Sequence, residues 1–305
     1  MKFLKNLSRH PLALAAAVVL LGFLAMAVGT EIYGAWCESA GRLPAYAAGD
    51  IANRFLPPSP AHWCGTDYMG RDVFWRAVAG SATAVKVGVI ASLIAVILGT
   101  VLGLLAGFFG GSIDDFVTWL YSTVAAMPAL LFILAFALLV GRNFMNAEMA
   151  GAVKVLSTAL RSEPGMLAVY LAIGLTCWVT LCRVVRAETM KLKTLPYVLA
   201  ARVAGQRSPV ILFRHILPNV MHLVIIYFTL TFATAVMSEV IVSYLGLGVQ
   251  SAPSWGVMIA DGQDRMWLGI WWEVAAATAF MFLLVLALNI LGDYLRDALD
   301  PRNRA

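Results

Sequence analysis

Six stretches of this chain run without a single Asp, Glu, Lys or Arg: Leu12 to Thr30, Val87 to Phe109, Phe116 to Gly141, Gly165 to Cys182, Val220 to Ser238 and Val274 to Gly292. A helix that crosses roughly 30 Å of hydrocarbon needs about 18 to 20 apolar residues, and its backbone hydrogen bonds close internally. Each stretch meets or approaches that length, so the pattern predicts an all-α membrane protein with six transmembrane helices. The first stretch also has the outline of a cleaved signal peptide, with Lys2, Lys5 and Arg9 ahead of it and Ala25-Met26-Ala27 near its end. Its apolar run is longer than the core of such peptides, which favours a retained helix. Pro128 interrupts the third stretch and predicts a bend there.

The polar segments between the runs set the orientation. With the N-terminus inside, thirteen basic residues fall on the inner side and eight on the outer side. The inner set includes Arg183, Arg186, Lys191, Lys193, Arg202, Arg207 and Arg214 around the fourth and fifth runs, which places both termini in the cytoplasm. Glu31 to Gly80, holding Pro44, Pro57, Pro58 and Pro60, is too short for a separate domain and reads as a loop folded on the outer face. Arg142 to Pro164 is a second outer segment, part of which reads as an interfacial helix.

Composition agrees with this picture. The chain is 61% hydrophobic and 13% charged, against about 45–50% and 25% for soluble domains. Its net charge of +5 suits anionic lipid headgroups, and no basic-aromatic interleaving points to nucleic acid.

Catalytic chemistry finds little footing. The phosphate-cradling pattern G-x-x-x-x-G-K-[ST] is absent, so any ATP that drives this chain is bound by another one. His10, His62, His215 and His222 are scattered and form no zinc pattern. His62, Cys64, Asp67 and Asp72 cluster in the outer loop without a metal-ligand spacing, and Thr66 or Asp67 reads as a helix cap instead. Asp114 and Asp115 fit the positive end of a helix dipole better than a catalytic pair. Cys177 and Cys182 read as packing residues, while Cys37 and Cys64 fit either a bridge or two free thiols. Gly99, Gly103 and Gly107 put three positions without side chains on one helix face, for packing within the chain or against a second one. Glu239 and Asn289 are polar groups at or within spanning runs and therefore candidates for a translocation path or gate.

The segment YVLAARVAGQRSPVILFRHILPN, Tyr197 to Asn219, carries the most information. It reads as two short helices with a break between them: Ser208 as the N-cap and Pro209 as the first residue of the second, with Pro218 stopping it before the next membrane run. Ala200, Ala201, Ala204 and Gly205 make a thin rod, from which Arg202 and Arg207 project charge. Such a rod, tied to two membrane helices, works as a mechanical handle. A passive channel or carrier has no use for one, and an intramembrane enzyme would need a nucleophile and a base converging at one depth of the bilayer.

Ala200-Ala201, then Gly205, then Leu217-Pro218 resembles the EAA loop of permease subunits of bacterial ABC importers, in which a short coupling helix docks into a groove of the ATPase. Leu199 stands where that motif has Glu, and His215 where it has Ile. CGTDYMGRDVFWRAVAGS from Cys64 to Ser81, SEVIVSYLGLGVQSAPSWGVMIADG from Ser238 to Gly262 and LNILGDYLRDALDPR from Leu288 to Arg302 look like the second permease subunit of the dipeptide, oligopeptide and nickel importers. Relative to that family, Arg142 to Pro164 looks like an insertion.

The resemblance implies a type I ABC importer permease fold in a bacterial cytoplasmic membrane. Residues 1–80 would form the N-terminal tail, first helix and external loop. Residues 81–305 would form the transmembrane domain proper, with a coupling loop at 187–218. It implies ATPase coupling through Ala200, Ala201, Arg202, Ala204, Gly205 and Pro218. It implies no cofactor on this chain, with ATP and Mg on two partner ATPases. The remaining partners would be a second homologous permease and an extracytoplasmic binding protein that delivers peptides.

Overall fold

The computed structural model describes residues 10–141, 151, 164–246 and 252–299. Helix α1 spans Pro11–Ser39, α2 Val73–Phe109, α3 Gly111–Ala126, α4 Ala129–Gly141, α5 Pro164–Leu192, α6 Pro196–Val203, α7 Ser208–Tyr244, α8 Trp255–Gln263 and α9 Trp272–Leu299. Among the described residues no strand forms; the external loop holds only the isolated bridges Gly49 with Arg71 and Thr66 with Asp72.

Five of these helices, α1, α2, α5, α7 and α9, are each long and apolar enough to cross a membrane unbroken. The sixth expected span is a bent pair: α3 and α4 meet at 93°. The cause is Pro128, which has no N–H to give a helix and forces the residue before it out of helical geometry. Met127 accordingly sits at φ −88°, ψ 136°.

Each unbroken helix outruns its apolar stretch. α2 starts at Val73 rather than Val87 and takes in Arg76 and Lys86; α5 continues past Cys182 to Leu192. A charge ends an apolar run but not a helix, because the backbone ladder continues once the side chain reaches water or a partner. The predicted caps at Thr66 or Asp67 give way to Asp72, whose carboxylate accepts from the backbone N–H of Trp75 at 3.1 Å.

The second short helix of the Tyr197 to Asn219 segment does not stop at Pro218. It runs on from Ser208 through a π-turn at Leu212–Ile216 into the membrane span. In that wider turn the N–H of Leu217 reaches back to the carbonyl of Leu212. The lost N–H of Pro218 thus falls where the α ladder is already interrupted, and Asn219 Nδ2 donates to the carbonyl of His215 at 2.6 Å. The N-cap position is Arg207, not Ser208, and Ser208 makes no capping bond.

α2 is the central post of the bundle. A Cβ placed on Gly99 would lie 2.8 Å from the Trp178 carbonyl oxygen, on Gly103 2.7 Å from that of Cys182, and on Gly107 2.6 Å from that of Arg186. The three glycines therefore let the α2 and α5 backbones touch along two turns. At one end of the bundle Val73, Ala77, Phe232, Val236, Trp255 and Leu284 join α2, α7, α8 and α9. At the other end Phe108, Val185, Val198, Ala201, Ile211 and Ile216 join α2 and α5 to α6 and the start of α7.

Candidate functional site

The handle expected between the fourth and fifth spanning runs is the turn, helix and turn from Lys193 to Arg207. α5 ends at Leu192, and the Lys193 ammonium then donates to the carbonyl of Gly107 at 2.7 Å, with the Phe108 carbonyl at 3.5 Å. These are carbonyls of the last turn of α2, which have no partner within their own helix. Asp114, near the start of α3, forms a two-pronged ion pair with Arg186; Arg186 Nη2 donates to Asp114 Oδ2 at 2.6 Å. This pair, which a helix-dipole reading of Asp114 does not foresee, brings α3 to α5 beside the handle.

α6 begins with Pro196 in its first turn, where a missing N–H costs nothing. Val198 and Ala201 point inward and are buried against the ends of α2, α5 and α7. Leu199, Ala200, Arg202, Val203 and Ala204 face outward, Val203 being 89% exposed. Ala201 therefore anchors the rod to its own bundle, while Ala200 and Ala204 belong to its free surface. The Arg202 guanidinium lies 5.5 Å from the Phe108 ring centre, a cation–π contact back onto α2.

Gly205 ends the rod rather than extending it. Its φ is +73°, its N–H donates to the Arg202 carbonyl at 3.0 Å and the N–H of Gln206 donates to that of Ala201 at 3.1 Å. Those two bonds around a left-handed residue make a Schellman cap, a conformation in which any side chain is strained. Beyond it, His215 Nε2 lies 2.9 Å from Gln206 Oε1, and Asn219 Nδ2 donates to the Tyr197 hydroxyl at 3.2 Å. Tyr197 opens α6 and Asn219 sits on α7, so both ends of the connection are fastened to one another. His215 thus has a local task that the motif position alone did not reveal. Pro218 is exposed on the first α-helical turn after the π-turn.

Glu239 is buried within the bundle. It accepts hydrogen bonds from Ser243 Oγ at 2.6 Å and Ser254 Oγ at 2.8 Å, locking α7 to the strand of chain leading into α8. Asn289 is exposed on α9, so the two gate candidates do not share a site.

The metal candidates in the external loop do not converge as a set: His62 pairs with Asp72, while Asp67 is taken up by arginines. His62 Nδ1 lies 2.8 Å from Asp72 Oδ2. Asp67 accepts from the N–H groups of Met69 and Arg71, from Arg71 Nε at 2.7 Å and from Arg76 Nη1 at 2.6 Å. Arg76 Nη1 also reaches Glu273 Oε1 at 3.1 Å, and Nη2 lies 3.6 Å from Asp261. One buried arginine therefore ties the external loop to α2, α8 and α9. Cys37 and Cys64 are both free thiols.

The described residues thus form a bundle of five unbroken apolar helices and one bent pair, with the short exposed helix α6 between two of them. The family model of the binding-protein-dependent transport system inner membrane component matches residues 99–305. The chain belongs to this family. This permease is 34% identical over 301 residues to the dipeptide transport system permease protein DppC of Bacillus subtilis, covering 98% of the chain and 85% of that relative. It is 36% identical over 244 residues to the oligopeptide transport system permease protein OppC of Escherichia coli K12, covering 80% and 73%. It is 31% identical over 302 residues to the glutathione transport system permease protein GsiD of Pectobacterium atrosepticum, covering 99% and 90%.

Proposed function

We propose that this permease forms half of the translocation path of an ATP-driven peptide importer, in a pair with a second, homologous permease, and that two separate ATPase subunits drive it. An extracytoplasmic binding protein delivers the peptide, and both chain termini lie in the cytoplasm. The relatives named for dipeptide, oligopeptide and glutathione transport support the substrate class.

The observation that carries the coupling role is the exposed face of α6. Leu199, Ala200, Val203 and Ala204 stand clear of the bundle, while Val198 and Ala201 on the reverse face are packed against α2, α5 and α7. A push on that rod is therefore a push on three spanning helices at once. ATP-driven closure of the two ATPases would carry the rod with it and shift the equilibrium between outward-open and inward-open bundles, by no more than the difference in binding free energy between the two states.

Gly205→Val tests this reading. Forcing a β-branched residue to φ +73° costs about 1–2 kcal/mol and unwinds the cap. The variant is expected to remain in the membrane and to keep its ATPase partners' hydrolysis while dipeptide uptake falls at least about tenfold. Uptake at the normal rate per ATP would overturn the docking role of α6. Pull-down of the tagged chain in mild detergent tests the subunit set: a second permease and two ATPases are expected with it.

A further inference from the structure

At the α6 end of the bundle a cleft of about 310 Å³ opens between α5, α7 and α9. Val184 of α5 and Leu223, Ile226 and Leu230 of α7 make its apolar wall, and Asp293 and Arg296 of α9 its charged one. Gly292 lines it too; a Cβ there would come 3.0 Å from Thr229 Oγ1, so α7 and α9 stand in contact at this level. Asn289, Asp293 and Arg296 are exposed and recur at i, i+4 and i+7, which sets all three on one face of α9. Among the described residues their side chains make no hydrogen bond or ion pair, and Asp293 and Arg296, one turn apart, do not pair with each other. Asp67, Asp114 and Glu273, by contrast, are each held by an arginine.

The face that holds the cleft continues along both helices. Leu230, Thr234, Met237 and Ile241 are exposed on α7, and Phe282, Leu286 and Asn289 on α9, each set at the spacing of one helical stripe. Thr234 and Asn289 lie in helices long and apolar enough to cross a membrane. Polar side chains in such helices face a bundle interior or a water-filled cavity, because lipid cannot satisfy them. The cleft is therefore the α6 end of a partly polar groove, with a fixed anion and a fixed cation at its rim.

We propose that this cleft binds a dipeptide as a zwitterion, its carboxylate on Arg296, its ammonium on Asp293 and an apolar side chain on the wall of Val184, Leu223 and Ile226. The proposal rests on the peptide-import reading above and adds to it a site and a length preference. A guanidinium meets a carboxylate with two parallel N–H···O bonds, and a primary ammonium donates to a carboxylate. Helix residues three apart have Cβ atoms about 5–6 Å from one another. An extended dipeptide spans about 7 Å and a tripeptide about 10 Å, so the shorter one matches the two charges more closely. A cleft of this volume is at the small end of ligand pockets, which begin near about 300 Å³.

The test is equilibrium binding to the full-length permease, purified with whatever subunits accompany it but without a binding protein and held in lipid nanodiscs. The probes are leucyl-leucine, its N-acetyl form, its C-terminal amide and trileucine. Leucyl-leucine is expected to bind at least about tenfold more tightly than each of the other three. Asp293→Asn is expected to erase the preference over the N-acetyl form alone, and Arg296→Gln the preference over the amide alone. Both positions are exposed, and the wild-type comparison of the four probes stands even where a variant unfolds early. Equal affinity for the free and blocked dipeptides, no saturable binding of leucyl-leucine, or unchanged preferences in both variants would overturn the proposal. Uptake measured on the same preparation with a binding protein added separates the two readings: a complex that imports leucyl-leucine without discriminating among the probes removes this site and leaves peptide import standing, whereas one that imports no peptide removes the import reading.

Discussion

The Lys193 ammonium donates to the carbonyl of Gly107 at 2.7 Å, so the residue that leads into the exposed rod is also the cap of the central helix. In the proposed coupling, movement of α6 would reach α2 through this bond as well as through the packing of Val198 and Ala201. Lys193→Met keeps the stem of the side chain and removes its charge. A cation at a helix C-terminus contributes about 0.3–1 kcal/mol, so the variant is expected to fold, to retain ATP hydrolysis and to import several-fold less peptide per ATP. Lys193→Arg is expected to restore most of the ratio, and measurement of uptake against phosphate release in proteoliposomes checks both.

The close approach of α2 and α5 makes a second prediction. Gly103→Leu would set a Cβ 2.7 Å from the Cys182 carbonyl and 2.9 Å from Val185 Cβ, neither of which is the free end of a flexible chain. Overpacking of this kind costs about 1–3 kcal/mol or more. The purified permease is expected to unfold several degrees lower, while Gly22→Leu, whose Cβ meets nothing within 4 Å, unfolds at the wild-type temperature.

Cys64 offers a pH readout of the external loop. Burial first, and the Asp72 carboxylate second, raise its thiol pKa above the ordinary value. Since the thiolate is the reacting form, a raised pKa leaves less of it at any neutral pH. In a variant whose other cysteines are replaced, maleimide labelling at pH 7.5 is expected to be slower than that of a free thiol in solution and to rise with pH into a higher range. Asp72→Asn keeps the cap on Trp75 and removes the charge, so it is expected to speed labelling.

Much of the bundle was legible because the bilayer is a demanding solvent: a run without charge long enough to cross it has few other uses, and Pro128 announced the bend by its missing N–H. The helix ends were not, since Lys86 and Arg183 stop an apolar run while the helix continues through them. Arg76 illustrates the larger gap. Its acids, Asp67, Asp261 and Glu273, come from three separate parts of the chain, and nothing near any of them marks them as one network. Gly205 was found for its place in a motif, yet its physical task is the positive φ of a helix cap; likewise Glu239 stood out as polar, but its serine partners Ser243 and Ser254 are visible only once α7 and the approach to α8 are folded together.

Val203 is the side chain that a docked ATPase would cover first, being 89% exposed at the end of α6. The most direct measurement is therefore cross-linking of Val203→Cys, in a chain otherwise free of cysteine, with co-expressed ATPase subunits in inside-out vesicles during ATP-driven dipeptide uptake. One cross-linked product is expected, permease joined to ATPase, with a yield that changes when ATP is replaced by ADP. A cysteine at that position labelled only from the opposite side of the membrane, or reacting freely with no ATPase attached while uptake proceeds, would contradict docking through α6.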